Sequence, residues 1–101
     1  MCPQVCMTRQ CAVYIMSNIG NTVIYTGVTS QFSRRIQQHK DKLVEGFTKK
    51  YQCTKLVWYE LFDWIDDAIV REKQIKNWRR QWKTELIGKE NPPWKDLSNV
   101  L

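Results

Sequence analysis

Residues 12–17, AVYIMS, and residues 23–28, VIYTGV, are short alternating runs of β-formers on either side of Asn18-Ile19-Gly20-Asn21. Alternation over so few residues marks half-buried strands. Asn and Gly between them tolerate the positive φ that a tight connection needs. An antiparallel hairpin is the arrangement these residues favour. Closed symmetrically about Ile19 and Gly20, it sets Tyr14 opposite Tyr25, and directly opposed residues share a sheet face with Cβ atoms ~5 Å apart. Both phenols then stand on one surface. An ordinary aromatic cross-strand pair is the plain alternative. Gly27 interrupts the second strand, which marks a bulge or a close backbone approach.

The downstream pattern changes to a helical period. Thr29 or Ser30 offers an N-cap for a helix to about Leu43, with Phe32, Ile36 and Leu43 on its buried stripe. His39 lies in the middle of that stripe and Arg35 on its edge. A lone histidine on an apolar face is usually a satisfied core residue, but a second inward cation one turn away calls for an anion or an acceptor. Glu45–Tyr51, EGFTKKY, reads as a loop or short helix, and residues 56–62, LVWYELF, as a third strand. Asp63 or Asp66 can cap a last helix running to about Lys83, with Ile65, Ala68, Ile69, Ile75, Trp78 and Trp82 as its apolar stripe. Glu72 falls inside that stripe. An ionised carboxylate there costs several kcal/mol unless compensated. Lys76 or Arg79 could compensate it as an ion pair, and a divalent metal would do so better. Pro92 and Pro93 in the closing ENPPWKDL end any helix and leave Trp94 and Leu97 to lie across the core.

Composition bounds the function. A chain of 101 residues is one domain, with residues 1–10 as a tail and 11–98 as the folded unit. Hydrophobic residues at 43% with 26% charged describe a soluble globular protein. No apolar run approaches the ~20 residues of a membrane span, and MCPQVCMTRQ lacks the order of a secretory signal. An intracellular, cytoplasmic location and no membrane partner are therefore expected. Cys2, Cys6 and Cys11 have the wrong spacing for zinc, so reduced thiols are expected there, and Cys53 stands alone. The net charge of +6 is concentrated in two blocks, Arg34–Lys55 and Arg71–Lys89, each with seven basic and two acidic residues. If folding merges them into one face, that face suits a polyanion.

These residues together resemble the GIY-YIG nuclease superfamily, specifically its small stand-alone members. Ala12-Val13-Tyr14 matches the first motif and Tyr25-Thr26-Gly27 the second, ten residues apart. The motif arginine falls on Arg35, the histidine found in many members on His39, and the metal-binding glutamate on Glu72. VEGFTKKY and ENPPWKDL are also similar to the stand-alone branch. Ala12 and Thr26 depart from the pattern beside the tyrosines, not on them. The resemblance implies an α+β (α/β) fold, a small three-stranded antiparallel sheet flanked by helices in the order β-β-α-(α)-β-α.

The resemblance also implies a metal-dependent DNA endonuclease, with Tyr14, Tyr25, Arg35, His39 and Glu72 as its catalytic set. Glu72 would hold a single Mg²⁺ or Mn²⁺, and Arg35 would bind a phosphate oxygen. Tyr14 would activate water, although a phenol of pKa ~10 is a poor base unless its surroundings lower that value. Lys49, Lys50, Lys55, Arg71, Lys73, Arg79 and Arg80 are candidates for backbone phosphate contacts, which position nucleic acid without reading its sequence. The expected partner is branched, nicked or duplex DNA in repair or processing, with RNA left open, acted on by a monomer or weak homodimer. Two rivals are a non-catalytic nucleic-acid-binding module on the same fold and a buried structural network.

Overall fold

The computed structural model describes residues 11–41 and 52–98, and the backbone of residues 99 and 100. Strand β1 (Cys11–Ser17) lies between β2 (Ile24–Thr29) and β3 (Lys55–Phe62), antiparallel to both. Every β1 residue is buried, because helices cover both faces of the sheet. On one face Ala12, Tyr14 and Met16 meet Phe32 and Ile36 of α1 (Phe32–Lys40). On the other, Val13 and Ile15 meet Ala68 and Ile75 of α2 (Ile65–Lys76) and Ile87 of α3 (Arg80–Glu90). The expected α+β architecture is the observed one. Its optional helix before β3, the Glu45–Tyr51 segment, and the tail 1–10 fall outside the described residues.

The hairpin register differs from symmetric closure about Ile19 and Gly20. Met16 faces Tyr25, and Tyr14 faces Gly27. The cause lies in the loop. Asn18 Oδ1 accepts the N–H groups of Thr22 and Val23 at 2.9 and 3.1 Å, the Asn18 N–H reaches the Val23 carbonyl at 3.2 Å, and Asn21 takes φ 59°. These bonds centre the connection on Gly20 and Asn21, one residue late. The resulting slip is two residues on β2, an even number, so both tyrosines keep the same face.

The helix boundaries also needed tertiary information. Neither Thr29 nor Ser30 caps α1. Its N-cap is Gln31, with no side-chain cap bond, and Thr29 Oγ1 instead accepts the Gln31 N–H at 3.0 Å. The helix stops at Lys40, short of Leu43, which lies outside the described residues. Neither Asp63 nor Asp66 caps α2: Trp64 is its N-cap, and Asp66 and Asp67 occupy the first turn, where carboxylates complement the helix dipole.

The single helix expected to Lys83 is two helices. The Asn77 N–H bonds back to the carbonyls of Lys73 and Gln74, the Trp78 N–H to that of Ile75, and Arg79 is extended at φ −65°, ψ 152°. Trp82 consequently leaves the expected buried stripe and is 51% exposed. After α3, Asn91 Nδ2 donates to the carbonyls of Val57 and Lys95, while Trp94 and Leu97 pack on opposite faces of the sheet.

Cys11 is disulfide-bonded, which corrects the expectation of a reduced thiol at that position. The spacing that argues against zinc places no such bar on a bridge. Cys53 is free and buried. Among the described residues, no helix is long and apolar enough to cross a membrane.

Candidate active site

Tyr14 is 1% exposed, and its ring crosses the strand pair to lie over Gly27. A Cβ on Gly27 would stand 2.5 Å from Tyr14 Oη and 2.6 Å from Cζ, far inside contact distance. The glycine therefore provides space for the ring. Around Tyr14 the ring centres of Tyr25, Phe32 and His39 lie at 6.4, 6.2 and 5.4 Å, in tilted and edge-on arrangements that aromatic quadrupoles favour. Tyr25 and His39 are themselves 5.7 Å apart.

The centre of this group is a hydrogen bond between Tyr14 Oη and His39 Nε2 at 2.9 Å. Burial and the positive charge of Arg35 push the His39 pKa down to about 4, so the ring is neutral near pH 7. Burial pushes the Tyr14 phenol up to about 12, against a lowering hydrogen bond from Arg35. The Tyr14 hydroxyl donates to Nε2 in one imidazole tautomer and accepts from the Nε2–H in the other. The resting pair is therefore phenol and neutral imidazole. His39 Nδ1 is buried with no protein partner, and Thr26 Oγ1 is likewise unsatisfied. Arg35 also lines a polar cleft of about 160 Å³ with Thr29, Ser30, Gln31, Arg34 and Gln38. Among the described residues, no carboxylate contributes to that lining.

Glu72 approaches from α2, on the far face of the sheet. Tyr25 sits on the edge strand β2, and side chains of α2 reach past that edge. Glu72 is 8% exposed, and Lys76 Nζ lies 2.6 Å from its Oε2. The same ammonium is 5.9 Å from the Tyr25 ring centre. One lysine head group thus touches both the carboxylate and the aromatic group, and the Glu72 charge contributes to raising the Tyr14 pKa. Tyr14, Tyr25, Arg35, His39 and Glu72 converge on one rim of the sheet.

The basic candidates separate into groups. Arg80 donates to the Asn21 carbonyl at 3.2 Å and Lys55 to Asn21 Oδ1, so both cluster at the hairpin loop. Lys73 and Arg79 are exposed. Arg71 is diverted: its Nε is 3.1 Å from Glu60 Oε1 and its guanidinium stacks 5.3 Å from Trp78. Lys49 and Lys50 lie outside the described residues. Lys83, absent from the sequence-derived set, belongs beside the site. Its pKa is lowered by burial and by its neighbours Lys76 and Arg80. The three-residue spacing of Arg80 and Lys83 on α3 was the available signal.

A GIY-YIG catalytic domain matches residues 10–85. The chain is 38% identical to a UPF0213 protein of Syntrophus aciditrophicus (strain SB) over 79% of its own length and 91% of that protein's. It is 35% identical to a UPF0213 protein of Staphylococcus saprophyticus, covering 64% and 79%. It is 32% identical to one of Haloquadratum walsbyi, covering 73% and 82%. No solved structure gives a significant match.

Proposed function

The chain belongs to the GIY-YIG family, and from that premise we propose that it is a divalent-metal-dependent endonuclease that hydrolyses phosphodiester bonds in DNA. The supporting observation is the Tyr14–His39 hydrogen bond at 2.9 Å, with a guanidinium on one side and a buried carboxylate across the strand edge. A packing-only role would not require a buried, unpartnered imidazole nitrogen beside a phenol, two arginines and an acid.

The donor set fits one hard cation. Among the described residues, Glu72 is the one carboxylate at this rim, and no cluster of three metal-ligating side chains occurs. That suits Mg²⁺ or Mn²⁺, which keep several waters and share substrate phosphate oxygens. When bound, such an ion would offset charge on the phosphate and on the departing 3′ oxygen.

The chain's own groups would do the rest. Arg35 binds a non-bridging oxygen and offsets charge that develops in the transition state. Tyr14 Oη accepts a proton from the attacking water as its own proton passes to His39 Nε2. The water oxygen bonds to phosphorus, the P–O3′ bond breaks, and the 3′ oxygen takes a proton from solvent. Tyr25 orients water or phosphate. Lys55, Arg80 and Lys83 hold the backbone beside the hairpin loop, with Lys73 and Arg79 farther out. Positioning of this kind carries no base readout, so selectivity comes from structure, such as branches, flaps or nicks, or is low, as in intracellular DNA repair or processing.

The non-catalytic binding module has one observation in its favour: the Lys76 ammonium already neutralises Glu72. Branched, nicked and supercoiled DNA with Mg²⁺, Mn²⁺ or chelator decides between the two. Wild type should cut only with metal, whereas Arg35→Ala and Glu72→Gln should bind but not cut. Binding without cleavage of any substrate would select the module.

A further inference from the structure

Lys76 and Glu72 are unequal partners. The glutamate side chain is 10% exposed and fixed beneath the site rim, while the lysine side chain is 50% exposed. The lysine can leave the pair for solvent or for another anion, and the glutamate cannot. The position Lys76 occupies, on Oε2 and facing the Tyr25 ring, is where a cation serving the Glu72 carboxylate would also have to act. Lys83 and Lys76 repel one another, which favours the departure of Lys76 once a phosphate is available.

We propose that Lys76 is a displaceable internal counter-ion of Glu72, competing with the divalent ion in the free protein and released to a backbone phosphate when nucleic acid enters. This rests on the reading that Glu72 holds the metal. Losing the lysine leaves a buried carboxylate without compensation, which is costly, so another cation must replace it. A phosphate that draws Lys76 away strengthens metal binding, and by linkage the metal strengthens phosphate binding by the same factor. Metal capture is thereby coupled to the presence of substrate.

Mn²⁺ titration of the full chain without DNA, followed by the electron paramagnetic resonance of free Mn²⁺, tests the competition. Lys76→Met should bind Mn²⁺ roughly five- to tenfold more tightly than wild type, the scale of an ion pair with one buried partner. Its thermal midpoint should also rise more on adding Mn²⁺. Glu72→Gln should lose this binding. Lys76→Arg keeps the test open if the methionine variant does not fold. A guanidinium grips a carboxylate with two donors, so this variant should bind Mn²⁺ more weakly than wild type. Unchanged or weaker binding by Lys76→Met, or unchanged or tighter binding by Lys76→Arg, overturns the proposal while Glu72→Gln still reports the site. Binding insensitive to Glu72→Gln overturns the metal reading itself, and this proposal with it.

Discussion

Gly27 faces Tyr14 across the β1–β2 ladder, and the phenol lies where a side chain at position 27 would have to be. Ring and glycine therefore act as a unit, the absent Cβ setting the angle at which Tyr14 meets His39. Gly27→Ala should push the ring aside, with a loss of about 1–3 kcal/mol in urea unfolding, the usual cost of overpacking. Cleavage should fall with it. If the clash is the cause, Tyr14→Leu should reduce the alanine's cost in a double-mutant cycle. Simple addition of the two effects would refute it.

Stability should respond to His39 at acid pH. Its folded pKa of about 4 is below the usual 6.5 because burial disfavours the charged ring. The unfolded chain binds the proton first as pH falls, so the contribution is complete above about 6.5 and is lost between there and about 4. The total is about 3–4 kcal/mol at ~1.4 kcal/mol per pH unit. Chemical denaturation from pH 7 to 4 should show this slope in wild type, and His39→Gln should flatten it. Equal slopes would mean that the ring is not held neutral.

Tyr14→Phe removes one hydroxyl and leaves His39 Nε2 unpaired in a buried place. A cost of about 1–3 kcal/mol is expected, together with a drop in cleavage of roughly 10²–10⁴-fold if the phenol relays a proton. DNA binding should be nearly unchanged. Full activity in this variant, measured by single-turnover cleavage, would remove Tyr14 from the mechanism.

Salt dependence should distinguish cations that look alike in the sequence. Arg80→Ala and Lys83→Ala should each weaken DNA binding and lower the log–log salt slope by about one. Arg71→Ala should leave that slope alone, because its guanidinium is committed to Glu60 and Trp78. Fluorescence anisotropy over a series of salt concentrations reads all three. An effect of Arg71 as large as that of Arg80 would contradict this division.

Much of the fold was legible because its signals are local. AVYIMS and LVWYELF are β-patterned runs, and the β1 and β3 strands include them. Phe32 and Ile36 lie one helical turn apart, and both are buried beneath α1. The errors arose where a local rule met a competing partner. Asn18 Oδ1 took the loop amides and shifted the hairpin. Thr29 bonded one residue ahead of the helix it was expected to cap. The residues after Lys76 turned back on the last carbonyls of α2 and freed Trp82.

By itself the sequence determined which side chains share a face, since the two-residue period of a strand and the helical period of α1 follow from local backbone geometry. The two-residue slip of the hairpin could not undo them. Only the tertiary structure decided how the faces meet. Tyr14 pairs with His39, Arg71 turns away to Glu60, and Lys76 reaches past the edge strand to Tyr25. Those outcomes depend on burial and on distances between elements far apart in the chain, and a pattern along one strand or helix holds neither.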